Sequence, residues 1–86
     1  MYIKYSEKSV KQLMKIYVGD SKGVEAIIRT IETYAEKPNE KFDVKILKGK
    51  FGDFKRLRVG TYRIIFENDE MNMYIYEIKH RKEANK

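Results

Sequence analysis

The chain has 86 residues, no Cys, one His and a formal net charge of +6. At this length it is one small domain, 1–86, which buries only about 60–65% of its unfolded surface and gains stability from a bound partner. Disulfides, thiolate metal sites, thiol nucleophiles and multi-histidine metal centres are excluded, and with no signal peptide at MYIKYSEK and no apolar run of about 18 residues the expectation is a soluble cytoplasmic protein.

Residues 2–5, YIKY, are rich in β-formers and predict a short first strand. Ser6 suits an N-cap, and Glu7 puts a carboxylate in the first turn of a helix that runs to about Gly19. Val10, Leu13, Met14 and Tyr17 recur at i, i+3, i+4, i+7 as its apolar face, with Lys8, Lys11 and Lys15 outside it. A second helix opens at Asp20 or Ser21 and is stopped by Pro38-Asn39. Its apolar positions Val24, Ile27, Ile28, Ile31, Tyr34 and Ala35 are the strongest periodic signal in the sequence. Two consecutive helices imply an antiparallel helical hairpin whose shared apolar face is covered by a sheet.

The sheet is written in the second half. Val44 to Lys48 reads as a short strand ending at Gly49, and Phe54 to Val59 and Tyr62 to Phe66 flank the turn signal Gly60-Thr61 as a hairpin. After the polar turn Asn68-Asp69-Glu70 comes a last strand, Met73 to Ile78. Strict alternation puts Tyr74, Tyr76 and Ile78 on one face of it and Met73, Ile75 and Glu77 on the other. The fold class is α+β: an N-terminal strand and a two-helix antiparallel hairpin packed on an antiparallel sheet of four or more strands.

Charge is uneven along the chain. Residues 1–43 carry 8 basic and 7 acidic side chains, and residues 44–86 carry 11 and 6. A basic second half attracts polyanions in a salt-dependent way. Within the hairpin, Arg56 and Arg58 project from one face, with Lys55, Leu57 and Val59 on the other, and Arg63 enters just past the turn. Three guanidiniums at one end of a hairpin repel one another unless an anion or a carboxylate sits among them, and a polyphosphate such as RNA fits that demand. If the last strand neighbours the hairpin, His80 and Arg81 reach the same end, and His80 is the one side chain whose unperturbed pKa lies near neutrality. On spacing alone a second reading stays open, because solvated strands also carry Arg and Lys for solubility and edge protection. Tyr62, Tyr74 and Tyr76 are expected as core or half-buried sheet residues, although aromatics also serve single-stranded RNA by stacking.

LRVGTYRIIF (Leu57 to Phe66), with LKG (Leu47 to Gly49) before it and HRK (His80 to Lys82) after it, resembles the RelE/ParE toxin superfamily, in its RelE-like messenger-cutting branch. Tyr5-Ser6 and Lys37-Pro38 also sit where that family has them, so the resemblance covers nearly the whole chain. It implies a toxin of a type II toxin-antitoxin system, a metal-independent endoribonuclease without cofactor that cuts messenger in the ribosomal A site. The implied partners are a cognate antitoxin and messenger RNA on the ribosome. By the same resemblance Arg56 and Arg63 stabilise the phosphate and Arg81 assists the leaving group, while Lys45, Lys48, Lys55, Arg58 and Lys82 complete the RNA-binding set. The family often places a tyrosine base a few residues after HRK, where this chain has Asn85. Three readings follow: His80 serves as the base, the reaction runs on positioning and charge stabilisation alone, or the chain is a weakened toxin that only binds antitoxin or RNA. ParE-like relatives share the fold and poison DNA gyrase, which is the alternative function.

Overall fold

The computed structural model describes residues 1–49 and 52–80. The chain runs β1 (Tyr2–Tyr5), α1 (Glu7–Gly19), α2 (Ser21–Glu36), β2 (Val44–Gly49), β3 (Gly52–Val59), β4 (Tyr62–Asn68) and β5 (Asn72–His80). Both helices lie against one five-stranded sheet of order β1-β5-β4-β3-β2. Strands β2 to β5 form the expected antiparallel run. The sheet as a whole is mixed, because β1 pairs parallel to β5, Tyr2 opposite Asn72 and Tyr5 opposite Ile75. The long path from β1 through two helices supplies the crossover that parallel neighbours need.

Helix α1 is fixed by polar contacts along the sheet edge. The Ser6 Oγ accepts the Ser9 N–H at 3.0 Å as an N-cap and donates to the Tyr76 carbonyl at 2.7 Å. Gln12 Oε1 accepts the Ile78 N–H at 2.7 Å. Since β1 pairs only as far as Ile75, these side chains satisfy edge groups of β5 that no strand reaches. Between the helices, the Asp20 N–H donates to the Ile16 carbonyl at 2.7 Å, and its Oδ1 accepts the Gly23 N–H at 2.9 Å to cap α2. A Cβ at Gly23 would fall against that carboxylate, so the cap needs glycine there.

The core lies between α2 and the sheet. Ile27, Ile31 and Tyr34 meet Leu57, Ile64, Phe66, Met73, Ile75 and Ile78, with Leu13 reaching in from α1. Each such side chain contributes about 1.5–3 kcal/mol through its removal from water. The remaining α1 stripe departs from expectation: Val10, Met14 and Tyr17 stay 43%, 66% and 55% exposed. The helix turns Ser9 and Gln12 towards β5, which leaves the stripe facing a groove of about 690 Å³ shared with Ile3, Tyr5, Val24 and Ile28.

Two local features set the faces of the sheet. Gly60 opens the β3–β4 turn at φ 58, a left-handed conformation suited to a two-residue hairpin. A bulge then breaks the β4–β5 ladder: Ile65 lies opposite Glu77 and Phe66 opposite Ile75, which leaves Tyr76 as the extra residue. Met73, Ile75 and Ile78 therefore all point into the core, and the alternation expected for this strand is corrected from Glu77 onward. Tyr76 and Glu77, adjacent in sequence, both come to the helix-free face.

Candidate nucleic-acid interface

The helix-free face collects one side chain in two from each strand. Lys45 of β2 lies opposite Arg56 of β3, which lies opposite Ile65 of β4 and, beyond it, Glu77 of β5. The next row runs Arg58, Arg63, Lys79. Directly opposed residues hold their Cβ atoms about 5 Å apart and diagonal ones about 7–8 Å, so Arg56 and Arg63 can grip one anion between them. The carboxylates present are partly engaged. Arg58 stands 3.9 Å from Asp43, while Glu77 takes Lys79 at 3.5 Å and Lys8 of α1 at 3.6 Å. The Arg56 Nε is buried with no hydrogen-bond acceptor among the described residues. A donor of that kind is completed by an outside acceptor, either water or a ligand oxygen.

Beside these rows lies an aromatic pair. Phe54 of β3 and Tyr76 of β5 meet edge to face with ring centroids 5.4 Å apart, spanning β4 between them. The Tyr76 hydroxyl donates to Glu67 at 2.5 Å. That bond first, and burial second, push Tyr76 up to about 12.

Of the residues singled out from sequence, Lys45, Arg56, Arg58 and Arg63 come together on this face. His80 does not join them. It reaches the anticipated end of the sheet but on the helix side, opposite Tyr62 and edge-on to its ring at 5.4 Å. There it borders a cleft with Gln12, Lys15, Ile16 and Asp20. The physical cause is the bulge, which shifts every later residue of β5 by one and carries Lys79 to the helix-free face in place of His80. In the cleft the Tyr62 hydroxyl donates to Asp20 Oδ2 at 2.9 Å, and burial, then that bond, raise the Tyr62 pKa.

Two members of the expected RNA-binding set stand off this face, Lys55 in keeping with its alternation against Arg56 and Arg58. Lys55 lies on the helix side, its Nζ donating to Asn68 Oδ1 at 2.8 Å beside the Tyr34 hydroxyl. Lys48, opposite Asp53, alternates onto the same side as Ile46. Arg81, Lys82 and Asn85 fall outside the described residues. Phe54, Glu77 and Lys79 were not anticipated on this face, while Tyr76 was expected as a core or half-buried sheet residue with RNA stacking as its other reading. The signal was the apolar spacing Met73, Ile75, Ile78, two residues and then three, which marks a bulge. Among the described residues no three His, Asp or Glu side chains gather as metal ligands, and no helix is long and apolar enough to cross a membrane.

A helical hairpin on a five-stranded mixed sheet is the architecture of the RelE-like toxins. The archaeal RelE–RelB complex from Pyrococcus horikoshii OT3 is similar at 30% identity and a TM-score of 0.64, covering 93% of this chain and 93% of that one. The RelB–RelE antitoxin–toxin complex from Methanococcus jannaschii shares 27% identity at a TM-score of 0.67, covering 95% and 94%. The YoeB dimer from Staphylococcus aureus has the same fold at 16% identity and a TM-score of 0.77, covering 93% and 95%. No curated protein matches the sequence. The family described as the ParE toxin of type II toxin-antitoxin systems matches residues 3–85, and the chain belongs to that family.

Proposed function

We propose that this toxin is a ribosome-dependent endoribonuclease of the cytoplasm that cuts messenger RNA in the A site and arrests translation. The observation that carries the reading is the pair Arg56 and Arg63, diagonal neighbours on an uncovered sheet face with an unused buried donor at Arg56 Nε. In the proposed reaction the 2′-hydroxyl attacks the adjacent phosphorus, the bond to the 5′-oxygen breaks, and the 2′-proton ends on that oxygen. The two guanidiniums bear the charge that builds on the non-bridging oxygens, where preorganised donors are worth most. Lys79 and Arg58 strengthen the field, and Arg81 is assigned to the departing oxygen by family resemblance. With His80 on the helix side, positioning inside the ribosome and charge stabilisation carry the rate in place of a histidine base.

The antitoxin belongs to the same proposal. Val10, Met14, Tyr17 and Ile28 border an apolar groove that an amphipathic helix fits, and the solved RelE relatives are complexes with RelB. A second reading is favoured by the family's own description as ParE toxin and by the absence of His80 from the cationic face: inhibition of DNA gyrase without RNA cutting.

The test is induction of the chain in cells, with separate pulse-labelling of protein and DNA and mapping of messenger 5′ ends on ribosomes. Translational arrest with new ends inside A-site codons, lost in Arg63→Ala, is the expected outcome. Arrest of DNA synthesis with gyrase-linked breaks replaces the proposal with the second reading.

A further inference from the structure

The bulge in β5 puts two consecutive side chains, Tyr76 and Glu77, on a face that regular alternation would give only one of them. Bulges of this kind re-aim side chains and recur next to functional sites. Tyr76 is thereby brought to Phe54 across the width of β4, and Glu67, on β4 beneath them, accepts the Tyr76 hydroxyl. The pair is not core: the helices lie on the other side of the sheet, where Leu57, Ile64 and Ile75 are closed off. Phe54 stands two residues before Arg56 on the same strand face, about 7 Å along the strand. That separation is comparable with the span between a nucleotide's phosphate and a neighbouring base. Rings beside guanidiniums are the composition that proteins use to hold unpaired bases.

We propose that Phe54 and Tyr76 form a stacking wall for one unpaired base of single-stranded RNA, adjacent to the phosphate held by Arg56 and Arg63. The inference rests on the RNA reading above and deepens it by naming a nucleobase subsite. Glu67 fixes the plane of the Tyr76 ring through its hydroxyl, so the wall is set before the base arrives. Nothing on the wall reads a base edge, and the subsite accepts purines and pyrimidines by their faces.

The experiment uses the full chain and an uncleavable single-stranded pentanucleotide, 2′-O-methylated throughout, with one 2-aminopurine. Stacking quenches the fluorescence of this base, a signal that fold stability alone does not move. Wild type is expected to quench it on binding. Phe54→Leu and Tyr76→Leu are each expected to lose the quenching and to weaken binding about 5-fold or more. Phe54→Trp and Tyr76→Phe retain a ring and are expected to retain the quenching, which separates loss of the wall from loss of fold. Unchanged quenching in both Leu variants, with Arg63→Ala abolishing binding, overturns the wall and leaves the phosphate grip standing. A wild-type chain that binds no oligonucleotide overturns both.

Discussion

Asp20 joins α2 to β4 through a single carboxylate, and its removal has a calculable cost. In Asp20→Ala, α2 loses the cap formed by the 2.9 Å bond from the Gly23 N–H, worth about 1 kcal/mol. The Tyr62 hydroxyl, on a residue only 9% exposed, also loses its 2.9 Å acceptor, and an unsatisfied hydroxyl costs about 1–3 kcal/mol. Together these come to about 2–4 kcal/mol, or about 8–30 °C in Tm for a domain of this size. Tyr62→Phe alone removes one ordinary hydrogen bond, about 0.5–1.5 kcal/mol. In the double variant no hydroxyl is left unsatisfied, so a double-mutant cycle in urea at constant m is expected to yield a coupling of about 1 kcal/mol. Asp20→Asn keeps the cap through its one amide oxygen and turns an NH2 donor towards the Tyr62 oxygen, so it is expected to fall between wild type and the Ala variant. A coupling near zero, or an Ala variant no worse than the Asn variant, refutes the shared role.

Three further outcomes are expected. Gly60→Val forces a β-branched residue to φ 58 and should lower stability by about 1–2 kcal/mol in chemical denaturation, with no change in m. Met14→Glu, at a position 66% exposed in the apolar groove, should leave the thermal midpoint of the isolated chain unchanged yet prevent a co-expressed antitoxin from restoring growth. Tyr76 titrates near 12 in the fold against an ordinary value of 10, so the stability it contributes is fully present below pH 10 and is lost as pH rises from 10 through 12. Ultraviolet titration should accordingly lose its latest tyrosinate step in Tyr76→Phe, while Tyr5 and Tyr62, which are raised as well, keep theirs.

Both helices, the hairpin and the last strand were legible from sequence because periodicity, caps and turn residues agree at each of them. Ser6 caps α1 and Asp20 caps α2 as their residue types suggested. The cationic cluster Lys45, Arg56, Arg58 and Arg63 was legible for the same reason, since spacing within a strand fixes the face. What escaped depended on neighbours far away in sequence. The parallel entry of β1 is a property of the tertiary arrangement, and no local pattern encodes it. His80 was grouped with the arginines from the end of the sheet it reaches, without a face assigned to it, and the bulge at Tyr76-Glu77 turns it to the helix side. The exposed stripe of α1 was read as core because periodicity reports which residues are apolar and not what covers them.

The oldest part of the nascent chain waits for the youngest. Among the described residues β1 pairs with β5 alone, about 70 residues later, and Arg63 gains its cross-strand companion Lys79 from that same strand. Pairings of such long range form slowly, after the local helices. While the polypeptide is still being made, then, its cationic surface is unfinished. The interval also leaves α1 and α2 accessible, with their uncovered apolar groove, before the sheet behind them closes.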